Sequence, residues 1–236
     1  MRHRLLIILM LGALIGAFVI PLNPVRDGLH RIALLGSLAG VWLAPLLLGW
    51  RRKTFRYLWL AIPLVCAVPF ALPGRPLNGN ELRAKYLEGM TELVGTKYFW
   101  GGESSRGIDC SGLPRLALRE ALLAYGLHHL DGGALRLFVS QWWHDASAKA
   151  LGSGYRGYTI PLGPNGTIKD MDYASLQPGD LAVTESGVHV LAYLGEDRWI
   201  QADPGIGAVA ILNGRSDRNR WFEVPVTTHR WTVFRQ

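Results

Sequence analysis

Cys110 stands where a turn becomes a helix, in the run Tyr98-Phe99-Trp100-Gly101-Gly102-Glu103-Ser104-Ser105-Arg106-Gly107-Ile108-Asp109-Cys110-Ser111-Gly112-Leu113. A thiol at a helix start faces unpaired backbone N–H groups and the positive end of the helix dipole, and both favour thiolate over thiol. The helix is predicted by spacing. Leu113, Leu116, Ala117 and Ala121 recur at helical intervals, Arg115, Arg119 and Glu120 fall on another face, and Gly126 reads as the stop. Pro114 suits only the first turn, whose N–H groups have no intrahelical partner. Cys110 is therefore expected at or just before the helix start, with Asp109 as N-cap. A cysteine at such a position is, taken alone, more often an inert core residue than a nucleophile.

The flanking residues change that balance. The segment resembles the signature of the NlpC/P60 cysteine peptidases, a Tyr-x-Trp-Gly-Gly run followed after a short variable stretch by Asp-Cys-Ser-Gly-Leu. Leu176-Gln177-Pro178-Gly179-Asp180-Leu181 and His189-Val190-Leu191-Ala192-Tyr193-Leu194-Gly195 look like the family's Pro-Gly-Asp-Leu turn and its histidine-bearing strand. The resemblance covers residues 80–236. It implies Cys110 as nucleophile, His189 as base and Gln201 as the third, orienting residue. Family members often carry His at that third position; Gln can accept the ring N–H through its amide oxygen, as Asn does in papain-like enzymes, but brings no negative charge. The backbone N–H of Cys110 and the phenol of Tyr98 would stabilise the oxyanion. Asp109 and Ser111 resemble the positions that receive the free amino group of a short cell-wall peptide. By resemblance, then, the chain is an α+β, papain-like peptidase of peptidoglycan stem peptides that cuts after γ-D-glutamate, with no cofactor and no metal.

Strand periodicity offers a check on the last two residues. Along 188–194, Val188, Val190, Ala192 and Leu194 face one way while His189, Leu191 and Tyr193 face the other. Gly195-Glu196-Asp197 reads as a hairpin connection and Arg198 to Ala202 as the returning strand. Pairing Leu194 with Arg198 sets Gln201 opposite Leu191. Gln201 then becomes a diagonal neighbour of His189, about 7 to 8 Å away between backbones and within reach of a long side chain.

The elements that must position these groups begin with a helix capped by Asn80, carrying Leu82, Tyr86, Met90 and Leu93 on one stripe and closed by Gly95. Strands are expected at 181–185, 188–194, 198–202, 209–212, 221–226 and 231–234, making an antiparallel sheet with helices on one side. Residues 127–176 form a long insertion suited to shaping a substrate groove, with a hairpin turn at Asn165-Gly166. His128, His129, His144 and Asp145 fall in it without metal-ligand spacing, so solvated helix ends or packing explain them better.

The first 74 residues are of another kind. Stretches 5–22, 32–50 and 57–74 carry no charge, and each approaches the ~20 residues that cross a bilayer core. The expected organisation is a membrane region (1–74) with three transmembrane helices, a linker (75–79) and a catalytic domain (80–236). The net charge of +7 suggests nucleic acid until it is divided by region. Residues 1–74 hold eight Lys and Arg against Asp27 alone, while the remainder holds seventeen of each sign, so a nucleic-acid partner is not expected. The basic excess clusters at Arg2 and Arg4 and at Arg51, Arg52, Lys53 and Arg56. By the positive-inside rule both lie in the cytoplasm, and three spans then place the domain outside a bacterial cytoplasmic membrane. The expected partners are peptidoglycan peptides and the lipid bilayer. Cys66 and Cys110 are the only cysteines, leaving Cys110 with no disulfide partner in its domain. Two alternatives stay open: another amidase or acyl transfer on the same fold, and a non-catalytic membrane-anchored scaffold that binds the wall.

Overall fold

The structure, a computed structural model, describes residues 2–235. Three apolar helices come first: α1 (Arg2–Val19), α2 (Gly28–Leu48) and α3 (Lys53–Ala71). All three are long and apolar enough to cross a membrane, and their large side chains, among them Ile8, Phe18, Ile32, Leu58 and Leu64, point outward. Small residues let α1 and α2 approach closely. A Cβ on Gly16 would fall 2.5 Å from Ser37 Oγ, and one on Gly40 2.8 Å from Ala13 Cβ. Trp42 and Trp59 each donate an indole N–H to the other's backbone carbonyl, at 3.4 and 2.8 Å, and so clamp α2 to α3.

Helix α4 (Gly79–Glu92) buries the predicted stripe of Leu82, Tyr86 and Met90. Its cap is Asn78 and not Asn80: the Asn78 side chain accepts from Glu81 N at 3.2 Å, which draws Gly79 and Asn80 into the first turn. A two-residue hairpin, β1 (Glu103–Ser104) and β2 (Gly107–Ile108), leads into α5 (Gly112–His128). Gly126 does not stop α5. It lies inside the helix, where an added Cβ would come within 2.8 Å of Leu135, so the glycine serves the approach of the next helix. The stretch 127–176 is built structure: α6 (Gly132–Trp143), α7 (Ala148–Gly152) and an edge strand, β3 (Thr159–Thr167). Within it His129 pairs with Glu81 at 2.9 Å, and Asp145 pairs with Arg31 at 3.4 Å and with Arg115.

The sheet continues with β4 (Leu181–Thr184), β5 (Val190–Gly195), β6 (Arg198–Asp203), β7 (Ala208–Asn213) and β8 (Pro225–Trp231). It is antiparallel in the order β3-β8-β4-β5-β6-β7. Alternate residues feed two cores. Val190, Ala192 and Ile200 pack with Tyr86, Leu113 and Leu118, while Leu191, Trp199 and Ala182 pack with Trp221 and Phe222. The α+β class is as the sequence predicts, but three local expectations are not met. Asn165-Gly166 is no hairpin turn: it lies inside β3, whose bulge between Pro161 and Asn165 suits an edge strand. Strands expected at 221–226 and 231–234 are replaced by 3₁₀ turns at Arg220–Phe222 and Thr232–Phe234, flanking the single strand β8. Trp221 and Phe222 are adjacent and both buried on the same side, which a strand forbids and a helical turn permits.

The turn before β4 is held by charge. Arg230 grips Asp180 through two parallel bonds of 2.7 Å, and Asp180 also accepts from Gln177 N at 2.7 Å.

Candidate active site

The residues around Cys110 are locked by backbone contacts that only glycine allows. An added Cβ would lie 2.5 Å from Gly107 O at Gly102, and against Gly102 O at Gly112. Asp109 ties the same turn together. Its Oδ1 accepts from Gly112 N at 2.6 Å and Ser111 Oγ at 3.0 Å, and its Oδ2 accepts from Gly101 N at 2.9 Å. Helix α5 begins at Gly112, so Cys110 precedes it, and the Cys110 backbone N–H makes no hydrogen bond among the described residues.

Burial sets the state of the thiol. Cys110 is 8% exposed, and burial, with the Asp109 charge adding to it, pushes its pKa up to about 12 against the opposing amides of Val190, Ser111 and Cys110 itself. The expected thiolate is therefore a neutral thiol at rest. Its Sγ donates to Val188 O at 3.8 Å; among the described residues no hydrogen bond joins it to His189.

His189 ends the approach to β5 and is buried. Arg198 pairs with Gly195 and not, as expected, with Leu194, because a bulge falls between Tyr193 and Gly195. Beyond it Tyr193 pairs with Trp199 and Ala192 with Ile200, the register that, extended by one residue, faces Leu191 with Gln201. Accordingly His189 Nε2 lies 2.7 Å from Gln201 Oε1. An amide oxygen can only accept, so Nε2 carries the proton and Nδ1 keeps its lone pair. Burial lowers the His189 pKa to about 4, opposed by the Gln201 bond and the Asp203 charge and aided by Arg220. Tyr98, whose amide donates to Gly207 O at 2.8 Å, holds its phenol protonated with a pKa raised to about 12 by burial and then by Cys110, Asp109 and Asp203.

Three neighbours were not anticipated from sequence. Trp221 stacks on the His189 ring with centroids 4.0 Å apart and planes 10° from parallel, and Arg220 lies 4.2 Å from the Trp221 ring. Asp203, buried two residues beyond Gln201 on the same strand face, accepts from Gly205 N and from Asn219 Nδ2, both at 2.6 Å. The period of two after Gln201 would have pointed to Asp203; nothing in the spacing pointed to Trp221. Beside Asp109 and Ser111 opens a cavity of ≈ 320 Å³ that is also lined by Trp100, Asp27 and Asp145.

The family's sequence model, described as NlpC/P60 family, matches residues 95–224, more than half of the chain. The chain belongs to the NlpC/P60 family. The match contains the turn at Gly101-Gly102, Cys110, His189, Gln201 and Trp221. Among solved structures, this NlpC/P60 chain is similar to the peptidoglycan hydrolase RipB from Mycobacterium tuberculosis at 19% identity, with 68% of this chain and 70% of RipB covered and a TM-score of 0.40. NlpC1 from Trichomonas vaginalis is 19% identical over 66% of this chain and 45% of its own length, with a TM-score of 0.42. The P60 domain of an antigen from M. avium subspecies paratuberculosis is 18% identical over 68% of this chain and 100% of that domain, with a TM-score of 0.39. No curated protein sequence matches the chain.

Proposed function

We propose that this protein is a membrane-anchored cysteine peptidase that hydrolyses peptidoglycan stem peptides, at the bond after γ-D-glutamate. The observation that carries the reading is the 2.7 Å bond from His189 to Gln201, in a chain of this family, with Cys110 just before a helix. It leaves Nδ1 of His189 free to take the thiol proton. Sγ of Cys110 then attacks the acyl carbon, and the tetrahedral oxyanion accepts hydrogen bonds from the Cys110 N–H and the Tyr98 phenol. As the C–N bond breaks, His189 returns the proton to the leaving amine; water, deprotonated by His189, cleaves the thioester and restores the thiol. The cavity beside Asp109 and Ser111 would take the peptide's amino end, with the Asp109 carboxylate at its wall.

Residues 1–74 form the membrane region in this reading, 75–79 the link and 80–236 the catalytic domain. The clusters at Arg2 and Arg4 and at 51–56 favour the cytoplasmic side for both, with the domain outside. The test is product formation from muropeptides by the full chain in detergent, with Cys110→Ala beside it. Stem-peptide cleavage by the native chain alone is expected; equal product from both removes the reading.

A non-catalytic wall-binding scaffold has one observation on its side, the buried thiol that bonds to Val188 O and not to His189. Binding of muropeptides without turnover by the native chain would select it.

A further inference from the structure

The segment between α1 and α2 is docked on the domain. Glu103 N donates to Pro24 O at 2.9 Å, and Val25 forms a β-bridge with Gly102. Between the first turns of α2 and helices α5 and α6 this docking leaves a cleft of ≈ 410 Å³.

The cleft is cationic at its rim. Arg26 and Arg106, 80 positions apart in sequence, both donate to Pro21 O at 3.0 Å, and among the described residues neither pairs with a carboxylate. Two guanidiniums on one neutral carbonyl repel each other without a counter-charge. Behind them Arg31 is 4% exposed; its Nη2 lies 3.4 Å from Asp145 and 3.7 Å from Glu103, its Nη1 donates to Trp143 O at 3.1 Å, and its Nε makes no hydrogen bond among the described residues. Arg119 is held by Glu103 at 2.6 Å, and Glu103 is shared with Arg115 at 3.2 Å. Four arginines thus line the cleft against the carboxylates of Glu103 and Glu120. Burial, and then the Arg119 and Arg106 charges, hold Arg26 below its ordinary pKa against the opposing charge of Glu103. The deeper wall is apolar, formed by Leu34, Phe138 and Trp142.

We propose that this cleft binds a phosphate group, gripped between Arg26 and Arg106, and that its source is the headgroup of a membrane lipid whose chain lies along Leu34, Phe138 and Trp142. Phosphate suits the rim because its oxygens are disposed tetrahedrally and can meet two planar guanidiniums from different directions, where the two oxygens of a carboxylate lie in one plane. A lipid suits the wall because Leu34 lies within α2, and Trp142 with its exposed neighbour Trp143 has the composition of a membrane–water boundary. The lipid source, unlike the phosphate chemistry, rests on the membrane reading above; peptide cleavage has no part in either.

The test titrates the full chain in detergent with short-chain phosphatidylglycerol, with diacylglycerol of the same chains, and with inorganic phosphate, each followed by calorimetry. Phosphatidylglycerol is expected to bind about tenfold or more tighter than diacylglycerol, a preference that Arg26→Gln with Arg106→Gln removes. Arg106→Gln alone, an exposed residue outside the Glu103 network, should weaken the preference with an unchanged melting temperature. Phosphatidylglycerol binding far above inorganic phosphate supports the headgroup; inorganic phosphate binding as tightly supports the anion site and overturns the lipid source. Equal binding of the two lipids with no phosphate uptake overturns the proposal, as does a preference retained in folded Arg106→Gln and in the double variant.

Discussion

His189 donates Nε2–H to Gln201 Oε1 at 2.7 Å, across the β5–β6 pair. The bond fixes the tautomer without supplying charge, so the imidazole stays neutral and its pKa falls to about 4 through burial. Gln201→Glu introduces the missing charge and favours imidazolium. The His189 titration, read by NMR, is expected to move to higher pH, and the acid limb of kcat/KM with it. Gln201→Ala should lower kcat about 10² to 10⁴-fold by releasing the ring. A His189 titration unmoved in Gln201→Glu would contradict the assignment.

The buried thiol sets a second expectation. With its pKa pushed to about 12, Cys110 presents little thiolate at neutral pH. Alkylation of the folded chain by iodoacetamide at pH 7 is therefore expected to run slower than that of a free cysteine, and to accelerate on unfolding. Faster labelling in the folded state would show a thiolate at rest.

Stability should depend on pH through His189. Its folded pKa lies below the ordinary value of 6.5, so between about 4 and 6.5 the unfolded chain binds the extra proton. The neutral ring contributes on the order of 3 kcal/mol, fully present above pH 6.5 and lost as pH falls toward 4. Melting temperatures in detergent should decline over that window, and His189→Gln should flatten the decline. An equal slope in that variant would assign it to other groups.

Glu103 is a single carboxylate among Arg119 at 2.6 Å, Arg115 at 3.2 Å and Arg31 at 3.7 Å. Glu103→Gln leaves buried guanidiniums without that counter-charge and should cost about 3 to 5 kcal/mol. Because Arg31 belongs to α2, the loss should also loosen the segment 20–27 from the domain. Hydrogen exchange of those amides is the direct measure; native-like protection and melting would refute the coupling.

Much of this architecture is legible in the order of residues. The three apolar stretches, the stripe of Leu82, Tyr86 and Met90, and the placing of His189 and Gln201 on neighbouring strands follow from period, a local property. The loop between those strands does not follow the expected pairing, since Arg198 pairs with Gly195 and a bulge after Tyr193 restores the register. What lies beyond is set by contacts distant in sequence. Arg115 and Arg119 occupy the helix face opposite the apolar stripe, where solvent is the ordinary expectation; they are buried because Glu103 and Asp145 arrive from elsewhere to neutralise them. Trp221 reaches His189 only because a 3₁₀ turn replaces the strand that its residue types suggest. The sequence by itself determined which groups stand at the helix start and on the facing strands. Tertiary packing decided their protonation, because desolvation depends on how completely the rest of the chain closes over Cys110 and His189, and no local pattern records that closure.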